Sequence, residues 1–208
     1  MNIPMTTLTR QYKTIEKEID RALKSALLSG AYILSDEVSA FEKEFAGFIG
    51  CRYGVGVGSG TDALTLALRA LGFGPDDEVI VPANASPTVY GVAMAGVKIK
   101  LIDCAEDANL DSTKLARTIT KRTKAIILVH LYGNPADIFG IQELLKDIHR
   151  TDIAVIEDCA QAHGGWIGGD EEARRRRSEE TLLTRYIVTS SHQYLVTSSH
   201  RRIVTSVP

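Results

Sequence analysis

The spacing of hydrophobic residues near the N-terminus predicts two amphipathic helices. Apolar side chains recur at every third or fourth position from Tyr12 to Leu27, and Gly30 is placed to end this helix. A second segment with the same spacing begins after Ser35, a good helix cap, and ends at Gly50.

From about residue 53 the pattern changes to short apolar runs that alternate with segments of helical spacing. The runs predict strands at Tyr53–Val57, Glu78–Val81, Val97–Ile102, Ala125–Val129 and Ile153–Ile156. The segments between them predict helices at Asp62–Leu71, Pro87–Ala95, Ser112–Ile119 and Asp137–His149. This alternation indicates an α/β fold with three α/β/α layers around a mostly parallel sheet. We expect Val79–Val81, Ile126–Val129 and Ile153–Ile156 to be neighbouring parallel strands.

The pattern changes again at about Trp166. A mixed-charge block containing Arg174–Arg177 is followed by nearly three copies of an eight-residue repeat, the first at Tyr186–Gln193. The repeats are too short to bury a face of their own, and a mixed-charge block is typical of a solvated segment. We therefore expect residues 1–165 to form an incomplete large domain. We interpret residues 166–208 as a non-homologous tail, disordered or frameshifted, with a genuine solenoid or binding appendage as the alternative.

Composition narrows the class of protein. The 208 residues are 44% hydrophobic and carry a net charge of −2, which argues against nucleic acid or an anionic membrane as a partner. Cys51, Cys104 and Cys159 are widely spaced, as in reduced proteins, and neither a leader nor a membrane-length apolar run is visible, so a cytoplasmic location is expected. Because no His/Cys/Glu cluster has ligand spacing, we predict no metal, and His130 and His163 read as structural histidines.

A glycine-rich turn between the first predicted strand and its helix is a candidate phosphate site. Free N–H groups at a helix start, beside a hydroxyl, bind phosphate well. Three sharper alternatives fail: a dinucleotide fingerprint needs glycine where Thr61 stands, a Walker loop needs a lysine, and a hydrolase elbow needs glycine where Val57 stands. A turn that binds nothing remains the alternative.

The strongest chemical signal follows the last predicted strand. Glu157, Asp158 and Gln161 lie at its carboxyl end, where ligands bind in open α/β sheets. A carboxylate with an amide three residues on suits a pyridinium ring, because the acid can hold the ring N–H⁺ and the amide can reach the phenolic oxygen. That combination suits pyridoxal 5'-phosphate (PLP). However, no lysine follows Lys146 in the sequence.

With these features in place, the chain resembles the DegT/StrS-type sugar-nucleotide aminotransferases, which are fold-type I PLP-dependent enzymes, from about Ile3 to Gly165. The blocks that carry the resemblance are Phe41–Ala46, Ser59–Leu64, Asp77–Pro82, Thr123–Ile127, Val129–Gly133 and Glu157–Gly164. The resemblance assigns the cofactor phosphate and ring to Gly60, Thr61, Asp62, Asp158 and Gln161. Where the family places an aromatic side chain over the ring, this chain has Ser86, and Tyr90 is a remote substitute.

The resemblance also implies an activity, namely transfer of an amino group from glutamate to a keto-sugar nucleotide in polysaccharide or antibiotic sugar biosynthesis, by a homodimer. The family's Schiff-base lysine has no counterpart here, so no catalytic residue is assigned and PLP is expected to bind non-covalently at most. We therefore expect a truncated, catalytically incomplete domain. Two alternatives remain: a lysine-free dehydratase relative that uses pyridoxamine phosphate, with His192 or His200 replacing the lysine, and a non-enzymatic binding or dimerising module.

Overall fold

The computed structural model describes residue 4, residues 7–49 and 51–165, and only the backbone of residues 185–188, 194–198 and 202–205. The chain divides into two compact units, Met1–Phe41 and Glu42–Pro208. The division after Phe41 is not visible in the sequence pattern. The domain boundary that we place at residue 165 stays a prediction.

The first unit contains helix α1, Thr9–Ser29. Gly30 ends it as predicted, because its backbone takes the left-handed conformation (φ 67°) that a residue without a Cβ adopts easily. Apolar side chains on α1 are exposed, for example Leu27 at 66%. Within the described residues, none of the helices combines the length and apolar character that crossing a bilayer requires.

Helix α2, Asp36–Ile49, comes next in the chain, and the remaining elements alternate as the sequence predicts. The strands are β1 Tyr53–Gly56, β2 Glu78–Pro82, β3 Lys98–Ile102, β4 Thr123–Val129 and β5 Ala154–Asp158. The helices are α3 Gly60–Ala70, α4 Ser86–Ala95, α5 Leu115–Thr118, which continues a 3-10 turn at Ser112–Lys114, and α6 Ile138–Asp147. All five predicted strands and the four helices predicted to follow them are present, with ends shifted by a few residues.

The central part of the sheet is parallel. Strands β3, β2, β4 and β5 are neighbours in that order, with Ile80 opposite Ile126 and Ile126 opposite Val155. The predicted parallel neighbours are therefore confirmed, as is the mostly parallel α/β fold. This order places the carboxyl ends of β2, β4 and β5 along one edge of the sheet.

Three short strands are described, as backbone alone, in the region that we expected to lie outside the fold. They are β6 Arg185–Val188, β7 Tyr194–Ser198 and β8 Arg202–Thr205. Strand β6 pairs parallel with β5, and β7 pairs antiparallel with β1, β6 and β8. These strands pair with the sheet, which differs from the detached tail that the sequence pattern predicts. The charge block, His192 and His200 lie outside the described residues.

Side chains alternate across β4 and β5 and divide the core into two layers. On the α3/α4 face, Ile127 and Ile156 pack with residues of α3 and α4, including Leu64 and Val92. On the α6 face, Leu128 and Val155 pack with residues of α6, including Ile138, Ile141 and Leu145. Burying each such side chain stabilises the fold by about 1.5–3 kcal/mol, so helix packing on both faces stabilises the sheet.

A polar cluster lies at the opposite edge of the sheet, where β2 begins. The buried Glu78 carboxylate accepts hydrogen bonds from Thr120 Oγ1 at 2.6 Å and from Arg122 Nη2 at 2.7 Å. The hydrogen bond from Thr120 and then that from Arg122 lower the pKa of Glu78. An ionised carboxylate is therefore held in place at the amino end of β2.

Candidate functional site

Two consecutive buried carboxylates end β5, and the strand alternation sends them to opposite faces. Asp158 follows Ile156 onto the α3/α4 face, where its Oδ2 accepts a hydrogen bond from Thr88 Oγ1 at 2.9 Å. Its Oδ1 accepts the N–H of Ala160 at 3.1 Å. Both donors are neutral, so within the described residues no positively charged group donates a hydrogen bond to the Asp158 carboxylate.

The surroundings of Asp158 make its ionised form costly. Burial raises the pKa of the Asp158 carboxyl, while the hydrogen bonds from Thr88 and Ala160 and the proximity of His130 lower it by less. A buried, oriented carboxylate at a strand end, with a perturbed pKa, is a candidate binding group. A cationic ligand with an N–H donor, such as a pyridinium ring, would satisfy it.

Gln161 lies in the turn after β5, and its amide is oriented by the chain that follows β4. The Oε1 atom accepts the backbone N–H of Tyr132, which leaves the amide NH₂ group as the donor. Tyr132 has a left-handed backbone (φ 56°), uncommon for a residue with a side chain, and Gly133 after it is also left-handed. This geometry gives Gln161 the polarity needed to donate to a phenolic oxygen.

The start of α3 is the third predicted part of the site. Ser59 caps the helix: its Oγ accepts the N–H of Asp62 at 3.1 Å and donates to the Asp62 carboxylate at 2.9 Å. The Asp62 carboxylate is therefore already hydrogen-bonded to the capping residue, Ser59. The N–H groups of Gly60 and Thr61 belong to the first turn, where an α-helix leaves donors without intrahelical acceptors and favours an anion.

Close packing of α3 on α4 connects these parts. A Cβ on Gly91 would lie 2.7 Å from Leu64 Cβ and 3.2 Å from the carbonyl oxygen of Thr61, so only glycine allows this approach. Thr65 Oγ1 lies 2.9 Å from the Gly91 carbonyl oxygen and 2.7 Å from that of Thr61. Since Thr88 and Gly91 are about 4.5 Å apart along the α4 axis, one helix contacts both Asp158 and the start of α3.

The two residues considered for ring stacking lie on α4. Ser86 is the first residue of the helix and is exposed, and Tyr90 is 67% exposed. Because residues two apart on a helix lie on nearly opposite sides, Tyr90 is directed away from the side that carries Thr88. The aromatic contact remains without a counterpart among the described residues.

The second carboxylate, Glu157, lies on the α6 face with His130. His130 Nδ1 accepts the N–H of Ala136 at 3.0 Å, so the ring proton is on Nε2, which lies 3.2 Å from Glu157 Oε2. With Cys159, these residues bring three possible metal-ligand atoms within 4.8 Å of one another. Sequence spacing missed this cluster because it forms across two strands. The hydrogen bonds of His130 are enough to explain why His130 and Glu157 lie together. The absence of a metal stays a prediction.

Sequence reasoning placed Asp158 and Gln161 at the carboxyl end of β5, where the structure has them, but missed the groups that orient them. Thr88 is one of three hydroxyl residues in α4, with Ser86 and Tyr90, and it lies 70 residues from its partner Asp158 in the sequence. The contribution of Tyr132 is a backbone N–H, which no side-chain motif reveals. The one available signal was Gly133, since glycine after an aromatic residue at a strand end often marks a tight turn.

The structural neighbours of this chain include PLP-dependent aminotransferases of fold type I. Residues 13–177 match the model of the DegT/DnrJ/EryC1/StrS aminotransferase family, and the chain belongs to that family. PLP is the cofactor expected for its members. The sequence resemblance and the predicted fold class are thereby confirmed.

Individual relatives act on sugar nucleotides. The chain is 41% identical over 169 residues to dTDP-3-amino-3,6-dideoxy-alpha-D-galactopyranose transaminase of Aneurinibacillus thermoaerophilus, covering 80% of this chain and 46% of the relative. It is similar to the crystal structure of Streptomyces venezuelae DesV with a ketimine intermediate: the TM-score is 0.72 at 41% identity, over 78% of this chain and 43% of that one. It also resembles GDP-4-keto-6-deoxy-D-mannose-3-dehydratase of E. coli with hydrated PLP, with TM-score 0.63 and 33% identity, over 68% of this chain and 38% of that one. The chain thus spans about half the length of the curated relatives it matches.

Proposed function

We propose that this chain binds PLP at the carboxyl edge of its sheet, as part of an enzyme that transfers an amino group from glutamate to a keto-sugar nucleotide. The observation that carries the proposal is the buried carboxylate of Asp158, held by the neutral donors Thr88 and Ala160. Membership of the aminotransferase family supports this assignment. The acceptor class follows from relatives that are named as sugar-nucleotide transaminases.

The described residues fit PLP in charge and in donor polarity. When bound, PLP with a protonated ring nitrogen supplies an electron sink for carbon–nitrogen chemistry. Asp158 holds the proton on the ring nitrogen, and the Gln161 amide NH₂ donates to the phenolic oxygen. The N–H groups of Gly60 and Thr61 bind the phosphate, and Asp62 supports them through its cap with Ser59.

The lysine that holds the cofactor covalently in the family has no counterpart after Lys146 in these 208 residues. We infer that PLP binds this chain non-covalently. Such a lysine also moves a proton, and general acid–base help of this kind is worth about a hundred- to ten-thousand-fold in rate. The chain by itself should therefore show little or no turnover. A homodimer is part of the proposal, because in the family the partner subunit completes the phosphate and substrate pockets.

A second candidate function is favoured by the likeness to the GDP-4-keto-6-deoxymannose dehydratase structures. Such an enzyme would use pyridoxamine phosphate and a histidine in place of the lysine, His192 or His200 here. The likeness to the transaminase structure is stronger, with TM-score 0.72 against 0.63. We therefore rank the transaminase assignment first.

The proposal is tested by adding PLP to the purified chain, recording the absorbance, reducing with sodium borohydride and analysing the peptides by mass spectrometry. We expect saturable binding with the spectrum of the free aldehyde and no stoichiometric pyridoxyl-lysine. An assay with glutamate and a keto-sugar nucleotide should give no turnover. Failure to bind PLP would refute the cofactor site, whereas a stoichiometric pyridoxyl-lysine with turnover would refute the non-covalent assignment.

A further inference from the structure

The hydroxyl of Thr88 donates to a side-chain carboxylate, whereas those of the helical residues Thr65 and Thr118 contact backbone carbonyl oxygens. Thr65 and Thr118 each donate to the carbonyl oxygen four residues earlier, at 2.7 and 2.8 Å, as threonines in helices often do. Thr88 instead donates to Asp158 Oδ2 at 2.9 Å, across 70 residues of sequence. Its hydroxyl therefore connects α4 with the end of β5.

This contact lies in the interior, where a hydrogen bond to a charged group matters most. Thr88 is 2% exposed and Asp158 is 7% exposed. Hydrogen bonds to charged groups are roughly twice as strong as those between neutral groups. Within the described part of the chain, Thr88 and Ala160 are the hydrogen-bond donors to this carboxylate.

The geometry leaves room for a third donor. A carboxylate offers about four lone-pair positions, and Thr88 and Ala160 occupy one on each oxygen. Both are neutral donors that hold the Asp158 carboxylate in one orientation without adding a positive charge. A lysine or arginine in the place of Thr88 would neutralise that charge and weaken any attraction for a cationic ring.

We propose that Thr88 is a positioning residue for the cofactor: its hydroxyl orients the Asp158 carboxylate and favours its ionised form, and thereby sets how far a bound pyridine ring keeps its nitrogen protonated. This inference rests on the proposed function for its ligand. The effect of Thr88 on the ionisation of Asp158 does not depend on any ligand and can be measured without one.

The first arm of the test uses the chain without cofactor. Thr88→Val removes the donor but keeps the shape, and Thr88→Ser keeps the donor. We expect the titration midpoint of the Asp158 side-chain ¹³C signal, assigned with Asp158→Asn, to rise by about one pH unit in Thr88→Val and to stay near wild type in Thr88→Ser. Thr118→Val is the matched control, since it removes a helical hydroxyl bonded only to its own helix.

The second arm uses PLP labelled with ¹⁵N in the ring, whose chemical shift distinguishes the pyridinium from the neutral pyridine. In Thr88→Val the more basic carboxylate should draw the shared proton from the ring nitrogen, so at a given pH the ¹⁵N signal should move toward that of the neutral pyridine, and PLP should bind about tenfold more weakly. Thr118→Val should match wild type in both. These shifts distinguish positioning from a merely structural role, which would lower stability and leave both titrations unchanged.

The outcomes separate this inference from the proposed function. If wild type does not bind PLP, the proposed function fails, but the Asp158 titration still decides whether Thr88 keeps the carboxylate ionised. If Thr88→Val titrates like wild type in both arms, the role of Thr88 is refuted. Should Thr88→Val not fold, Thr88→Ala is measured in its place, and an unchanged Asp158 midpoint there also refutes the inference.

Discussion

The last two residues of β5 carry the same kind of group in opposite settings. Asp158 lies on the α3/α4 face and is held by two neutral donors, from Thr88 and Ala160. Glu157 lies on the α6 face and faces the imidazole of His130. Among the described residues, Asp158 is oriented by a hydroxyl and a backbone N–H, whereas Glu157 faces a side chain that is itself held by a hydrogen bond to its other nitrogen. A buried carboxylate at a strand end is therefore not by itself a ligand site. Whether it can bind a ligand depends on its hydrogen-bond partners in the protein.

The largest effect is expected on the α6 face. His130→Leu would remove a hydrogen-bond partner of Glu157 and the acceptor for the Ala136 N–H, both buried. Removing a partner from a buried polar group costs about 1–3 kcal/mol, and this variant does so at two groups. Urea unfolding should show a loss of this order, with a smaller loss for Glu157→Gln, which keeps an acceptor. A loss below about 1 kcal/mol would contradict the structural role that we give this pair.

On the other face, replacing Asp158 should stabilise the protein without cofactor. A carboxyl with a raised pKa binds more protons when folded, so wild-type stability falls as pH rises from the usual value of 3.8 to the folded pKa. Asp158→Asn lacks this titration and can hydrogen-bond with both Thr88 and Ala160. Its stability relative to wild type should therefore increase with pH across that window and stay constant above it. Thermal unfolding at pH 4 and pH 8 measures the difference, and a relative loss at pH 8 would contradict the assignment.

The close approach of α3 to α4 supports the Asp158 face and can be disturbed separately. Gly91→Ala would place a Cβ 2.7 Å from that of Leu64. Overpacking of this kind costs about 1–3 kcal/mol, and PLP affinity should fall because the start of α3 moves. Gly47→Ala is the control: it lies in α2 with nothing within 4 Å of the new Cβ, and should stabilise by about 0.5–1 kcal/mol. Equal effects of the two variants would refute the packing argument.

A third carboxylate, Glu78, extends the comparison to the opposite edge of the sheet. Its pKa is lowered by Thr120 and Arg122, so the stability it contributes is present above its usual pKa of 4.5 and is lost as pH falls through the folded value. Glu78→Gln should destabilise by about 1–2 kcal/mol at pH 7. The gap to wild type should narrow in acid unfolding experiments below pH 4.5. A gap that does not change with pH would mean that the charge of Glu78 contributes nothing.

The sequence predicted the frame of this site better than its details. Apolar spacing predicted the strands that position the site, because a buried strand has a continuous run of apolar residues, such as Ile153–Ile156. Asp158 and Gln161 followed from their place after that run. The partners that distinguish the two faces could not be predicted in the same way. Thr88 meets Asp158 only through the packing of α4 on the sheet, and the choice of His130 for Glu157 depends on the register of β4 and β5.

The most direct test of the account compares the two adjacent carboxylates in one experiment. PLP is titrated into wild type, Asp158→Asn and Glu157→Gln, each first shown to be folded, and the dissociation constants are measured by absorbance and fluorescence. We predict that Asp158→Asn weakens binding by about tenfold or more, because the ring nitrogen loses its anionic partner, while Glu157→Gln stays within about twofold of wild type. Equal weakening by both variants, or none by Asp158→Asn, would contradict the claim that only the α3/α4 face is built to hold the cofactor.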